Sequence, residues 1–154
     1  MQGKKNLAAG FLFLAGFMLY GFVLIYLRDL APGKEAWIAD YADGKHLEAR
    51  MAHAHGGLFA LINVVVGYAL VRLPIGASSA RCISWLALAG MLLPVGILAT
   101  AALGLPPLLV PVGGLCMIAA MVWLGLASAS LREPGEPASA DARPPVDANE
   151  RKAT

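Results

Sequence analysis

Four long apolar segments, separated by short polar ones, dominate the chain. Residues 7–27, 82–105 and 108–131 carry no charged side chain, and residues 51–71 carry none apart from two histidines. About 20 consecutive apolar residues are enough for a helix to cross a bilayer, so each segment predicts a transmembrane helix. We therefore expect an all-α fold, with an integral membrane four-helix bundle over residues 1–131.

The composition changes sharply after the last apolar segment. The whole chain is 58% hydrophobic and 14% charged, whereas residues 132–154 are rich in proline, alanine and charge. Such a segment has too little apolar surface to offset the conformational entropy that folding removes. We expect residues 132–154 to form a disordered cytoplasmic tail.

The basic residues outside the spans predict the orientation of the bundle. Lys4, Lys5, Arg72 and Arg81 fall at one end, whereas acidic residues dilute the basic ones in the segment 28–50 at the other end. Because cytoplasmic loops carry an excess of Lys and Arg, we expect both termini in the cytoplasm, with the chain in a bacterial inner membrane. The basic residues form no cluster, so nothing indicates nucleic-acid binding.

Proline and glycine predict where the helices are interrupted. Pro32-Gly33 indicates a turn, and the mixture of aromatic and charged residues up to Tyr41 favours a short helix at the membrane surface. Gly44 precedes a stretch that continues as helix into the second span. Pro94 lies inside the third span and should kink it.

Three histidines fall within ten positions of the second long helix: His46, His53 and His55. An ionisable group inside a membrane span is costly and indicates a functional site. On a helix that turns about 100° per residue, His53 and His55 point about 200° apart, so they cannot bind one ion together. One of the two would face a functional interior, and the sequence leaves open which. Alternatively, both lie in the headgroup layer without a catalytic role.

Small residues and one asparagine continue along this helix. Gly56, Ala60, Asn63 and Gly67 fall close to one face. This pattern is typical of helix–helix packing with Asn63 as a hydrogen-bonding link, and it would equally give a flat surface for a porphyrin or a bulky substrate. In the first helix, Tyr20 is a phenol in the middle of the span that needs a partner and could donate to a ligand.

Haem b is the cofactor that these histidines suit best. No carboxylate or cysteine accompanies them within the membrane on this helix, and zinc usually takes three or four protein ligands. Haem needs one axial histidine, and its apolar rim suits a membrane interior. The alternative is a non-catalytic accessory or scaffold subunit, because the spans contain no acid–base pair. A transporter or channel ranks last, because no intramembrane charge is present to bind an ion.

One short segment carries a resemblance to a known family. Ala54-His55 opens the second span, and Gly57 and then Asn63 follow it. In these residues, in its length and in its four helices, the chain resembles the small membrane proteins related to styrene oxide isomerase. The resemblance implies a homo-oligomer, a trimer, with haem b between subunits and a histidine, His55 or else His53, as iron ligand. It also implies ferric iron acting as a Lewis acid on a small hydrophobic epoxide, with Asn63 beside the substrate.

Overall fold

The computed structural model describes residues 3–131, and within that range the chain contains helices and no strand. The six helices are α1 (Gly3–Asp29), α2 (Lys34–Ala39), α3 (Gly44–Arg72), α4 (Ala77–Gly90), α5 (Leu92–Leu103) and α6 (Leu109–Ala129). α1, α3, α6 and the pair α4–α5 are each long and apolar enough to cross a membrane. The predicted all-α membrane bundle is therefore confirmed. The predicted tail, residues 132–154, lies outside the described residues.

The helix boundaries fall where proline and glycine predict them. Gly33, with a φ of 81°, precedes the short helix α2, and Gly44, with a φ of 56°, is the first residue of α3. The third span is interrupted at Met91, three residues before Pro94. Proline has no N–H for the carbonyl four residues earlier, which here belongs to Gly90, the last residue of α4. The kink predicted at Pro94 is thus an interruption of the helix.

The contact between α1 and α3 is close, and it depends on glycine. A Cβ added at Gly10 would lie 2.9 Å from the carbonyl oxygen of Ala60, and one added at Gly67 would lie 2.7 Å from that of Gly3. A Cβ at Gly56 would collide with an aromatic ring of α1. The small-residue face of α3 is therefore covered by α1, so helix packing is its role and it does not offer a porphyrin a free surface.

A buried polar network joins α1, α3 and α4. The Asn6 amide donates to Asn63 Oδ1 at 3.0 Å and to the Ser84 carbonyl at 3.2 Å, while the Ser84 hydroxyl donates to Asn6 Oδ1. The Asn63 amide donates to the carbonyls of Phe59 at 3.1 Å and Ala87 at 2.9 Å. Unpaired polar groups are costly in hydrocarbon, so these mutual bonds favour one register of the three helices. Asn63 provides the hydrogen-bonding link predicted from the small-residue pattern.

Candidate functional site

The histidines of α3 all lie in its N-terminal half, and His46 is the most enclosed of them. Its side chain is 4% exposed, its ring stacks on Trp37 with 4.5 Å between centroids, and Tyr41 meets it edge-on at 5.2 Å. His46 Nδ1 lies 2.6 Å from the Trp37 carbonyl oxygen, which can only accept, so Nδ1 is the donor. His46 therefore belongs to a cap that α2 forms at this end of the bundle.

His53 is half-buried in a groove beside α1. Its ring packs against Gly21, where an added Cβ would lie 2.9 Å from His53 Cε1. The groove has a volume of about 450 Å³, and its other lining residues are Met18, Gly21, Phe22, Leu24 and Ile25. His53 Nδ1 is buried and has no hydrogen-bond partner among residues 3–131. An unpaired buried N–H is costly, so the favoured neutral form of His53 carries its hydrogen on Nε2.

His55 has the opposite arrangement of its ring nitrogens. Its Nδ1 lies 2.9 Å from the carbonyl oxygen of Met51, one turn earlier on α3. Since the carbonyl accepts, Nδ1 holds the hydrogen and Nε2 keeps its lone pair. The ring is half-buried and lies at a tilt to Phe59, with 6.4 Å between the ring centroids. His55 is therefore already in the form that a metal-ligating imidazole takes.

The regular helix keeps these two histidines apart. His53 and Gly57 are four residues apart and share one flank of α3, whereas His55 lies on the other flank. Nothing lies within 4 Å of where a Gly57 Cβ would be, so this flank is open. The structure thus groups Gly57 with His53, while the family resemblance groups it with His55. In the described part of the chain, no three His, Cys, Asp or Glu side chains come together to hold a metal ion.

Tyr20 and Asn63 occupy different environments. Tyr20 lies between Phe17, with 6.4 Å between ring centroids, and His53, with 6.2 Å. It lines a second groove, of about 360 Å³, which is formed by apolar residues of α1 together with Val95 and Leu98 of α5. Its hydroxyl bonds to no residue in the range 3–131. Asn63 is fully buried in the polar network and lines neither groove.

The cap contains residues that sequence reasoning did not bring together. The guanidinium carbon of Arg50 lies 3.8 Å from the ring centroid of Tyr41, and Arg50 Nη1 donates to the Tyr41 carbonyl at 3.2 Å. Arg28, His46 and Arg50 line one small polar cavity. Helical spacing could have indicated part of this cluster, since His46 and Arg50 are four residues apart on α3. The contribution of Arg28 depends on how α1 packs against α3, which the local sequence does not reveal.

Comparison with known proteins does not assign the chain to a family. No protein-family model, no curated protein and no solved structure matches it.

Proposed function

We propose that the protein is a haem b-binding membrane protein in which His55 Nε2 would hold the iron. The observation that carries this proposal is the 2.9 Å contact between His55 Nδ1 and the Met51 carbonyl. A ligating histidine almost always donates its other ring N–H to a carbonyl or carboxylate, which fixes the ring and increases its basicity. In His55 that hydrogen bond is already made within one turn of α3.

His53 fits the role of ligand less well. Coordination through His53 Nε2 would place the hydrogen on Nδ1, which is buried without an acceptor among the described residues. The same environment favours Nε2–H, a hydrogen-bond donor at the edge of an apolar groove of about 450 Å³. Such a groove suits a small hydrophobic molecule with a single oxygen acceptor, and an epoxide is one such molecule. We therefore give His53 the role of orienting the substrate oxygen.

The proposed reaction is the isomerisation of a small epoxide. Ferric haem would supply a Lewis acid for the epoxide oxygen. His53 would hold that oxygen by hydrogen bonding, and Met18 and Phe22 would exclude water from the apolar part of the substrate. We also include Tyr20 in the proposed site, because its ring centroid lies 6.2 Å from that of His53. We leave Asn63 out, because its amide is used in packing.

A homo-oligomer is part of the proposal. His55 and the His53 groove lie on opposite flanks of α3 in one chain, so one copy cannot bring both to the same cofactor. In a cyclic assembly such as a trimer, two different surfaces of neighbouring copies meet. The His55 flank of one copy would then face the His53 groove of the next copy. Both termini would lie in the cytoplasm, as the distribution of basic residues predicts.

A non-catalytic scaffold is the second candidate, and the polar network favours it. Four polar side chains direct their hydrogen bonds to other groups of the bundle: Asn6, Asn63, Ser84 and Thr100. Polar side chains that serve only packing are what a scaffold subunit requires. This candidate predicts a colourless protein that purifies with a larger complex.

The absorption spectrum of protein purified from haem-supplemented cells tests the proposal. We expect a Soret band in the wild type that disappears in His55→Ala, because the axial ligand is lost. His53→Ala is the matched control, since it removes the same group from the opposite flank of the same helix. We expect it to keep the band and to lose turnover of an aryl epoxide to the aldehyde.

Two results would contradict this assignment. A colourless but folded wild type would remove haem and leave the scaffold candidate. A band lost in His53→Ala and kept in His55→Ala would move the ligand to the groove, and Nδ1 of His53 would then need an acceptor that the described residues do not provide.

A further inference from the structure

The cap at the histidine end of the bundle borders a small, half-open cavity that the proposed function does not use. It has a volume of about 160 Å³ and lies where α1 ends and α3 begins. Its lining is divided in character. Leu24 and Ile25 of α1 form the apolar part, and Arg28, Tyr41, His46 and Arg50 form the polar part.

Two cationic side chains line this cavity, and one of them has no ion-pair partner in the described part of the chain. Arg28 is neutralised by a two-pronged pair with Asp29, at 2.8 and 2.7 Å. Arg50 forms no ion pair with any residue between 3 and 131, and only its Nη1 has a protein acceptor, the Tyr41 carbonyl. The remaining N–H groups of Arg50 are free to bind an anion. Guanidinium groups recognise phosphate oxygens in this way through charge-assisted hydrogen bonds.

The aromatic rings of the cap are not arranged as a cage for a quaternary ammonium group. Tyr41 and His46 are the rings in the lining; Arg50 covers one face of Tyr41, and Trp37 covers one face of His46. A cation–π site needs open ring faces. The cavity therefore suits the phosphate of a ligand better than a choline group.

We propose that this cavity binds a monoanionic phosphate ester, and that its source is the headgroup of an anionic phospholipid. The guanidinium of Arg50, which has no ion pair among residues 3–131, matches the single charge of a phosphodiester. The apolar part of the lining continues into α1, which is apolar enough to cross a membrane, so the glycerol and acyl chains of a lipid could extend along it. Arg50 is the main anion-binding residue, and Arg28 contributes the N–H groups that Asp29 does not use.

Thermal unfolding of the full chain in nanodiscs tests the proposal. Nanodiscs of phosphatidylcholine are compared with nanodiscs that also contain phosphatidylglycerol. We expect phosphatidylglycerol to raise the midpoint for the wild type and the shift to disappear in Arg50→Gln. Arg72→Gln is the matched control, because Arg72 lies at the other end of α3 and also sits over a tyrosine ring, at 5.4 Å. It should keep the shift.

Further measurements separate the outcomes. Arg50→Lys preserves the charge and should keep part of the shift, which guards against a folding defect in Arg50→Gln. Inorganic phosphate added to phosphatidylcholine nanodiscs should produce no comparable shift, and an Arg50-dependent shift with phosphate would overturn the lipid source. An equal response to phosphatidylglycerol in the wild type, Arg50→Gln and Arg72→Gln would overturn the site, because it would reflect surface charge alone.

Discussion

The two ends of the bundle treat polar groups in opposite ways. At one end, the side chains of Asn6, Asn63 and Ser84 each form a hydrogen bond to a residue of another helix. At the other end, His46 bonds to α2, but His55 bonds only within α3 and His53 Nδ1 has no partner among residues 3–131. A polar group that is left without a partner lowers stability, so its presence needs another explanation. The contrast indicates that the first end holds the helices together, and it is the reason for placing the proposed binding site at the second end.

The largest effect is expected at Gly10, one of the positions where α1 lies close to the backbone of α3. A Cβ at Gly10 would lie 2.7 Å from a methyl group of Val64 and 2.9 Å from backbone atoms of α3. Gly10→Val should therefore separate the helices and lower the free energy of unfolding by about 3 kcal/mol or more. Titration of mixed micelles with a denaturing detergent, followed by loss of helix content, measures this change.

Gly16→Val is the control for that substitution. It lies on the same helix, and nothing comes within 4 Å of the added Cβ. We expect the free energy of unfolding to change by less than about 1 kcal/mol. The valine side chain has room there, and valine has a better helix propensity than glycine. Equal losses of stability in Gly10→Val and Gly16→Val would show that the α1–α3 contact is not the tight interface described.

A smaller loss is expected from removing the central amide of the polar network. Asn63→Ala deletes the bonds to Asn6, Phe59 and Ala87 and leaves an Asn6 N–H and the Ala87 carbonyl with one partner fewer. The expected cost is about 1–2 kcal/mol, in line with interhelical hydrogen bonds in membranes. The same unfolding titration measures it.

Thr100→Ala provides the comparison. The Thr100 hydroxyl donates to the Gly96 carbonyl of its own helix, at 3.0 Å, so its removal should cost less than about 0.5 kcal/mol. If Asn63→Ala were no more harmful than Thr100→Ala, the network would not be the link between helices. The proposed haem binding should survive in both variants, because neither residue contacts His55.

The sequence predicts most of the fold because the bilayer imposes a simple rule. A long apolar segment must be helical in order to satisfy its backbone, so the four spans and the interruption near Pro94 can be derived locally. The geometry of the candidate site is harder to derive from the sequence. That Gly56 and Gly67 face α1, and that Gly57 lies open beside His53, depends on which helix covers which face of α3. A helical wheel gives the angle between two side chains on α3, but it does not show which neighbouring helix each of them faces.

The partner of each imidazole is harder still to predict. His53 and His55 are two residues apart and have the same chemistry, yet Met51 provides an acceptor for one and nothing in residues 3–131 does so for the other. Backbone acceptors are present throughout a helix, and the choice among them depends on rotamers that neighbouring helices fix. Gly21 of α1 leaves the space that the His53 ring occupies, since an added Cβ would lie 2.9 Å from His53 Cε1.

The last prediction is the one that most directly separates binding from packing. His53→Leu replaces a buried, unpaired nitrogen with an apolar group, so haem-free protein should be equally stable or more stable by about 1 kcal/mol. His46→Leu is the matched control on the same helix, and it should be less stable, because it loses the bond to Trp37. Equal destabilisation of both variants would mean that His53 Nδ1 has a structural partner. A gain in stability together with a loss of epoxide turnover would show that His53 is retained at the expense of stability for its hydrogen bond to the substrate.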